Sequence, residues 1–218
     1  MAQVFKPRAN TIALAVLVSI PVVVVLIFAI NYQLHASPYA TLMGLYVDQP
    51  VPFSHKHHVG DIGLDCRYCH TGVENAAFAG LPPTHTCMTC HSQLFTNVAM
   101  LAPVRQSLAT DTPIAWNRVY KLPDYVYFDH SVHVKNGIGC STCHGDMSKQ
   151  PLTMKEAPLT MGWCLKCHRD PGPHLRPVSE VFDPHVPDPQ NDPQKAVALL
   201  RHYVIETGNM TDCSTCHR

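Results

Sequence analysis

Five copies of Cys-x-x-Cys-His account for all ten cysteines of this 218-residue chain. They are Cys66-Arg-Tyr-Cys69-His70, Cys87-Met-Thr-Cys90-His91, Cys140-Ser-Thr-Cys143-His144, Cys164-Leu-Lys-Cys167-His168 and Cys213-Ser-Thr-Cys216-His217. This pattern is the attachment signal for c-type haem, in which two thiols bond covalently to the porphyrin and the histidine binds the iron. Zinc sites and disulfides also use paired cysteines, but neither requires a histidine after every pair. The sequence therefore predicts five covalently bound haem c groups.

An uncharged apolar run extends from Thr11 to Ile30, long enough to cross the roughly 30 Å hydrocarbon core of a bilayer as a helix. Lys6 and Arg8 precede it, and the next cation is Lys56, so the positive-inside rule predicts a cytoplasmic N-terminus. A cleaved signal peptide has an apolar region of only about 7–15 residues. We expect residues 1–34 to form a cytoplasmic tip and an uncleaved transmembrane signal-anchor. Residues 35–218 would then be a periplasmic haem domain at the bacterial inner membrane.

The haem domain has little chain with which to build a core. Its 184 residues provide about 37 for each motif, and domains this small usually need covalent or metal cross-links. The chain's nineteen prolines argue against a central sheet. We therefore predict a mostly irregular, small α multihaem fold built around its cofactors, with an amphipathic helix over 194–207. Basic and acidic residues balance at 16 each, which gives no sign of nucleic-acid binding.

The motif spacing indicates an internal duplication. First cysteines stand 21, 53, 24 and 49 residues apart, and Phe-x-His-x-x-His occurs at 53–58 and again at 128–133, before the first and third motifs. This predicts two two-haem modules, 53–93 and 127–171, and a fifth haem in 194–218. The histidines of the repeat, His55, His58, His130 and His133, are the predicted distal iron ligands. His57 matches Val132 in the second copy and is assigned to the outer shell or surface.

The repeat resembles the ligand motif of small c3- and c7-type multihaem cytochromes. That resemblance implies that His55 caps the haem at Cys66 and His130 the haem at Cys140, while His58 and His133 each cap another haem. Four distal ligands then serve five irons. For the fifth, Met161 is favoured, with His185 and His202 as alternatives. A methionine ligand there would raise the potential of that haem.

Longer segments resemble the membrane-anchored pentahaem subunit of bacterial alternative complex III, a quinol-oxidising assembly. They are FSHKHHVGDIGLDCRYCH (53–70), PPTHTCMTCHSQ (82–93), YFDHSVHVKNGIGCSTCHG (127–145), PLTMGWCLKCHRDP (158–171) and TDCSTCHR (211–218). The resemblance implies an electron relay towards periplasmic carriers that is not catalytic alone. Its implied partners are an iron–sulfur subunit related to molybdopterin oxidoreductases, polytopic quinol-binding subunits and a monohaem cytochrome c.

Two other functions remain open from the residues. A stand-alone membrane-anchored quinol dehydrogenase also has one span and external haems, although the duplicated repeat fits it poorly. A multihaem reductase would need a vacant iron coordination position. Every motif here ends in histidine and spare ligands are present, so we predict no catalytic residue in this chain.

Overall fold

A computed structural model describes residue 6, residues 8–186 and residues 192–217. Most of the predicted cytoplasmic tip, and positions 187–191 of the proline-rich stretch, lie outside the described residues. The chain separates into two compact units, one ending at Met43 and the other beginning at Gly44.

The first unit is dominated by α1 (Arg8–Ala36), followed by the short α2 (Pro38–Thr41). At 1.5 Å per residue, the 29 residues of α1 extend about 43 Å, longer than the hydrocarbon core of a bilayer. Its apolar side chains are exposed on every face, and Pro21 lies inside the helix. Among the described helices, α1 is long and apolar enough to cross a membrane by length and composition. A signal sequence has the same properties.

The second unit consists of short helices joined by coil. They are α3 (Cys66–Cys69), α4 (Thr84–His91), α5 (Ala102–Thr110), α6 (His130–Lys135), α7 (Cys140–His144), α8 (Met161–Arg169), α9 (Pro193–His202) and α10 (Cys213–Cys216). A π-helix covers Lys56–Asp61, and 3₁₀ turns cover Ala99–Leu101, Met147–Lys149, Gly172–His174, Val178–Glu180 and Thr207–Asn209. Within the described ranges β-pairing is limited to isolated bridges, such as Tyr46 with Met154. The predicted fold of short helices and coil without a central sheet is confirmed for the described residues.

Polypeptide packing in this unit is sparse. Among the described residues, eight apolar side chains are buried, and a small cluster of Val73, Val134 and Val181 joins the two predicted modules. A second contact between the modules places the π-helix against the Met147–Lys149 turn. There Lys56 N–H donates to the carbonyl of Gln150 at 2.9 Å, and Gly60 lies directly against the Ser148 backbone.

The predicted helix over 194–207 is shorter than expected. α9 ends at His202, and Val204 adopts a left-handed backbone with φ of 53°, which a β-branched residue rarely does. The Tyr203 hydroxyl donates to the carbonyl of Arg176 at 2.8 Å and so directs the chain away from the helix axis. A long-range hydrogen bond thus overrides the apolar periodicity.

Candidate haem-binding sites

The five Cys-x-x-Cys-His motifs all lie on short helices, in order α3, α4, α7, α8 and α10. Cysteines three positions apart lie on the same face of a helical turn, so both thiols can reach one ligand. Local caps start two of these turns. The Asp65 carboxylate accepts from Arg67 N–H at 2.8 Å, and the Thr160 hydroxyl accepts from Trp163 N–H at 3.4 Å. We number the candidate sites one to five in motif order.

The structure brings each of the four predicted distal histidines to the histidine of a motif. The ring-centre distances and interplanar angles are 6.4 Å and 8° for His55 and His70, 6.2 Å and 65° for His58 and His91, 6.4 Å and 14° for His130 and His144, and 6.2 Å and 36° for His133 and His168. Sites one to four therefore each contain a pair of imidazoles at nearly the same separation.

That separation fits one metal ion between two imidazoles. A metal–nitrogen bond of about 2 Å on each side, with about 1.1 Å from nitrogen to ring centre, gives about 6.2 Å in total. Direct stacking of the rings would bring them closer, as where Phe53 stacks on His58 at 4.4 Å. The paired histidines would therefore fit as the two nitrogen ligands of a haem iron, and the adjacent cysteines would attach the porphyrin through thioether bonds.

Hydrogen bonds to the second ring nitrogen orient most of these imidazoles. Nδ1 contacts a backbone carbonyl in His58 (Ser54, 2.9 Å), His70 (Gly80, 2.7 Å), His91 (Leu94, 3.2 Å), His130 (Ala77, 2.8 Å), His133 (Asp129, 2.7 Å), His168 (Met210, 2.9 Å) and His217 (Tyr125, 3.1 Å). A carbonyl only accepts, so Nδ1 must carry the proton and Nε2 keeps its lone pair. This is the usual second-shell support of a metal-binding histidine.

The phenylalanine of the repeat packs on both histidines of its own copy. Phe53 meets His55 edge-on at 4.9 Å and stacks on His58 at 4.4 Å. Phe128 repeats this on His130 at 4.8 Å and on His133 at 4.4 Å. One aromatic ring therefore sets the directions of two imidazoles that serve two different sites.

Burial keeps several of these rings neutral. It lowers the pKa of His55 to about 4, with the nearby His70 and His58 adding to the shift. The pKa of His144 is also lowered to about 4 by burial and then by His130, His70 and His55. Burial likewise lowers the pKa of His133. A neutral imidazole is the form that binds a metal.

Several contacts show which sites are neighbours. Sites one and three adjoin, because the nearby Cys66 raises the pKa of Cys140 and, after burial and His130, the nearby His70 and His55 lower that of His144. Burial raises the pKa of Cys69, and the nearby Cys87 raises it further, so sites one and two are neighbours. Sites four and five are related in the same way, because burial and then Cys216 raise the pKa of Cys164.

The fifth site is less complete in the described part of the chain. His217 packs beside Tyr125 at 5.8 Å and forms an isolated bridge with Val126. Of the three candidate distal ligands, Met161 begins α8 and is exposed, His185 is exposed with its N–H bonded to Asp183, and His202 packs on Tyr203. The fifth distal ligand remains a prediction among these three.

Residues outside the haem motifs and the repeat support the candidate ligands. The Thr153 hydroxyl contacts His55 Nδ1 at 3.2 Å, across 98 positions. Tyr120 packs on His144 at 4.3 Å and Gln150, nearly fully buried, donates to the His144 carbonyl at 3.0 Å. Arg176 is fully buried and donates to Ser141 Oγ of the third motif at 3.2 Å. These contacts are long-range or involve ordinary polar residues, so no local pattern marks them.

His57 is exposed and lies 3.5 Å from Asp61.

Comparison with known proteins agrees with this geometry. A family model for cytochrome c7 and related cytochromes c matches residues 126–218. The multihaem cytochrome c subunit of a menaquinone reductase from Nitratidesulfovibrio vulgaris (strain Hildenborough) is 31% identical over 171 residues, covering 78% of this chain and 68% of that protein. The chain belongs to the multihaem cytochromes c. Its c7-like domain therefore carries covalently bound haem c, and the cysteine pairs described above are the attachment points that its sequence offers.

Membership of this family also explains the sparse core. In a multihaem cytochrome c the cofactors occupy much of the interior, so the chain needs few buried apolar side chains of its own. The family model covers the second module and the fifth motif. The internal repeat relates the first module to that region.

Proposed function

We propose that this protein is an electron-relay subunit with five haem c groups in a membrane quinone-linked oxidoreductase. The observation that carries the proposal is the set of four imidazole pairs at 6.2–6.4 Å. Two strong-field ligands on one iron leave no position for a substrate and favour electron transfer with little change of geometry. The haem groups would supply one-electron chemistry, while the protein fixes the ligands and excludes water.

The ligand assignment follows from the pairs. His55 with His70 would hold the first haem, His58 with His91 the second, His130 with His144 the third, and His133 with His168 the fourth. His217 would bind the fifth from the proximal side, with Met161 favoured on the distal side. Each copy of the repeat therefore ligates the first haem of its own module with one histidine and the second haem with the other.

The neighbouring sites give the relay an order that differs from the order in sequence. The histidines of the first repeat connect sites two and one, and those of the second connect sites three and four. The interaction between Cys66 and Cys140, which raises the pKa of Cys140, supports a junction between sites one and three. Electrostatic interaction between Cys164 and Cys216 supports a junction between sites four and five. The proposed order is two, one, three, four, five.

The membrane setting rests on α1 and on similarity. We propose that α1 is a retained anchor, with the haem domain on the periplasmic side. The segments that resemble alternative complex III favour a subunit that receives electrons from quinol oxidation by polytopic partners. Its implied partners also include an iron–sulfur subunit and a monohaem cytochrome c. The relative's name favours a second candidate, the cytochrome subunit of a menaquinone reductase, in which electrons flow towards quinone.

Purification of the intact membrane complex in mild detergent tests these proposals. Its subunits should include an iron–sulfur protein and polytopic proteins, and the chain should carry the mass of five haems. Quinol oxidation coupled to reduction of a soluble cytochrome would favour the first candidate, and quinone reduction by a reduced cytochrome the second. Robust quinol oxidation by the isolated subunit would contradict a pure relay and support a stand-alone dehydrogenase.

The topology has its own test. Protease added to spheroplasts should digest the chain beyond position 43 and spare α1. Protection of the haem domain, or a mature N-terminus after position 34, would contradict the proposed anchor.

A further inference from the structure

The first histidine of each repeat is held by the other module. His130 Nδ1 lies 2.8 Å from the carbonyl of Ala77, which belongs to the first module. His55 Nδ1 lies 3.2 Å from the hydroxyl of Thr153, which belongs to the second. In each module the partner lies between its two haem motifs. The arrangement is reciprocal, but the chemical type of the acceptor differs.

That difference has an electronic consequence. A backbone carbonyl is a strong acceptor, and an Nδ1–H that donates to it gives the imidazole partial imidazolate character. Such a ring is a better donor to iron and favours the oxidised state, because second-shell hydrogen bonds raise ligand basicity. A hydroxyl oxygen is a weaker acceptor, and here the contact is longer. His55 is therefore the weaker electron donor of the two.

Hydrogen bonds to the neighbouring backbone hold Thr153 in place beside His55. The next residue, Met154, is fixed through both of its backbone groups. Its N–H donates to the buried Gln150 at 3.1 Å, and its carbonyl accepts from the Tyr120 hydroxyl at 3.1 Å. Gln150 in turn donates to the His144 carbonyl. The hydroxyl that faces His55 is thus carried by a short segment anchored beside the histidine of the third motif.

We propose that Thr153 is a positioning residue that holds the reduction potential of the first haem above the value that a carbonyl acceptor at His55 would give. It does so by giving His55 a hydroxyl acceptor where the equivalent His130 has a carbonyl. Since sites one and three adjoin, the Thr153 contact contributes to the potential difference across the junction between the modules. The inference rests on the proposed function, since it requires His55 to be an axial ligand.

The test is an EPR-monitored redox titration of the full-length protein with its haems, using variants with opposite expected signs. Thr153→Val removes the acceptor with little change of shape and should raise the midpoint potential of one bis-imidazole haem. Thr153→Asn supplies an amide carbonyl and should lower it, and Thr153→Ser should leave it close to wild type. The expected change is about tenfold in the oxidised-to-reduced ratio, or about 59 mV for one electron.

Two further variants make the result specific. Thr110→Val removes a hydroxyl that bonds to Gln106 within α5, and it should move no potential. His55→Met marks the first site, because a methionine ligand raises that haem's potential. If His55→Met leaves every haem unchanged, the proposed ligation itself is wrong. If it moves one haem but Thr153→Val and Thr153→Asn shift that haem in the same direction or not at all, only the role of Thr153 is overturned.

Discussion

The two modules share one ligand geometry and differ in what surrounds it. In both, a phenylalanine meets the first histidine edge-on and stacks on the second at 4.4 Å, and the first histidine faces its motif histidine at 6.4 Å. The helices that carry the repeat differ. His58 lies on the Lys56–Asp61 π-helix, whereas His133 lies on α6, which the Asp129 carboxylate caps. The spacing of Phe-x-His-x-x-His therefore fixes the ligand pairs even though the local backbone changes.

The interplanar angle of the second pair of imidazoles also differs between the two modules. His58 and His91 are inclined at 65°, but His133 and His168 at 36°. The first pairs, at 8° and 14°, are nearly parallel in both modules. The imidazole pairs where the two predicted modules meet are therefore alike, and the outer pairs differ.

Removal of the second histidine of either Phe-x-His-x-x-His repeat should have the largest effect, because it changes the spin state of one iron. His58→Ala should convert the second haem, and His133→Ala the fourth, from six-coordinate low-spin to high-spin, because each iron loses an axial nitrogen. About one fifth of the low-spin EPR intensity should disappear in each variant. The neighbouring His57→Ala and its counterpart Val132→Ala are matched controls and should retain full intensity. Equal loss from His57→Ala and His58→Ala would mean that the repeat does not provide the ligand as assigned.

The ring angles should be visible in the oxidised wild-type protein. Parallel axial imidazoles give rhombic low-spin EPR spectra, whereas strongly inclined rings give a more anisotropic signal at low field. We expect rhombic signals from sites one and three and an anisotropic signal from site two, which His58→Ala should abolish. Loss of a rhombic signal in that variant would contradict the angle seen for His58 and His91.

The contact between the modules should be sensitive to one added methyl group. Gly60→Ala places a Cβ against the Ser148 carbonyl, and overpacking of this kind costs about 1–3 kcal/mol of unfolding free energy. Gly162→Ala, in α8, is the control, because its Cβ would meet no atom within 4 Å outside its own helix backbone. That substitution should be neutral or stabilise by about 0.5 kcal/mol. Denaturant unfolding measures both, and equal stabilities would mean that the modules do not pack through Gly60.

The sequence identified the residues that could bind haem, but it did not identify the hydrogen bonds that hold those residues in place. Each attachment motif is local, and the repeat marks its own histidines, so the four histidines that face a motif histidine could be picked out from spacing. Which motif histidine each distal histidine faces depends on how two modules fold together, and no local pattern encodes that. The hydrogen bonds from His55 to Thr153 and from His130 to Ala77 are long-range for the same reason. The end of α9 was misjudged because Tyr203 bonds to a distant carbonyl.

The smallest expected effect concerns Tyr120, the tyrosine that packs on the histidine of the third motif. Tyr120 packs on His144, and its hydroxyl donates to the Met154 carbonyl and accepts from Glu156 N–H at 3.0 Å. Tyr120→Phe keeps the ring and removes both hydrogen bonds, so it should cost about 1 kcal/mol of unfolding free energy. Tyr39→Phe, at an exposed position, should cost nothing measurable.

The pH dependence of this effect has a defined sign. Burial raises the pKa of Tyr120 to about 12 from its ordinary value of 10.0. The unfolded chain therefore loses this proton at lower pH than the folded protein does. Stability from this group is fully present below pH 10 and falls as the pH rises from about 10 to about 12. Tyr120→Phe should lack that part of the decline, so its unfolding free energy should approach that of wild type at high pH. A constant difference between the two proteins from pH 8 to pH 12 would show that Tyr120 is not buried against His144 as described.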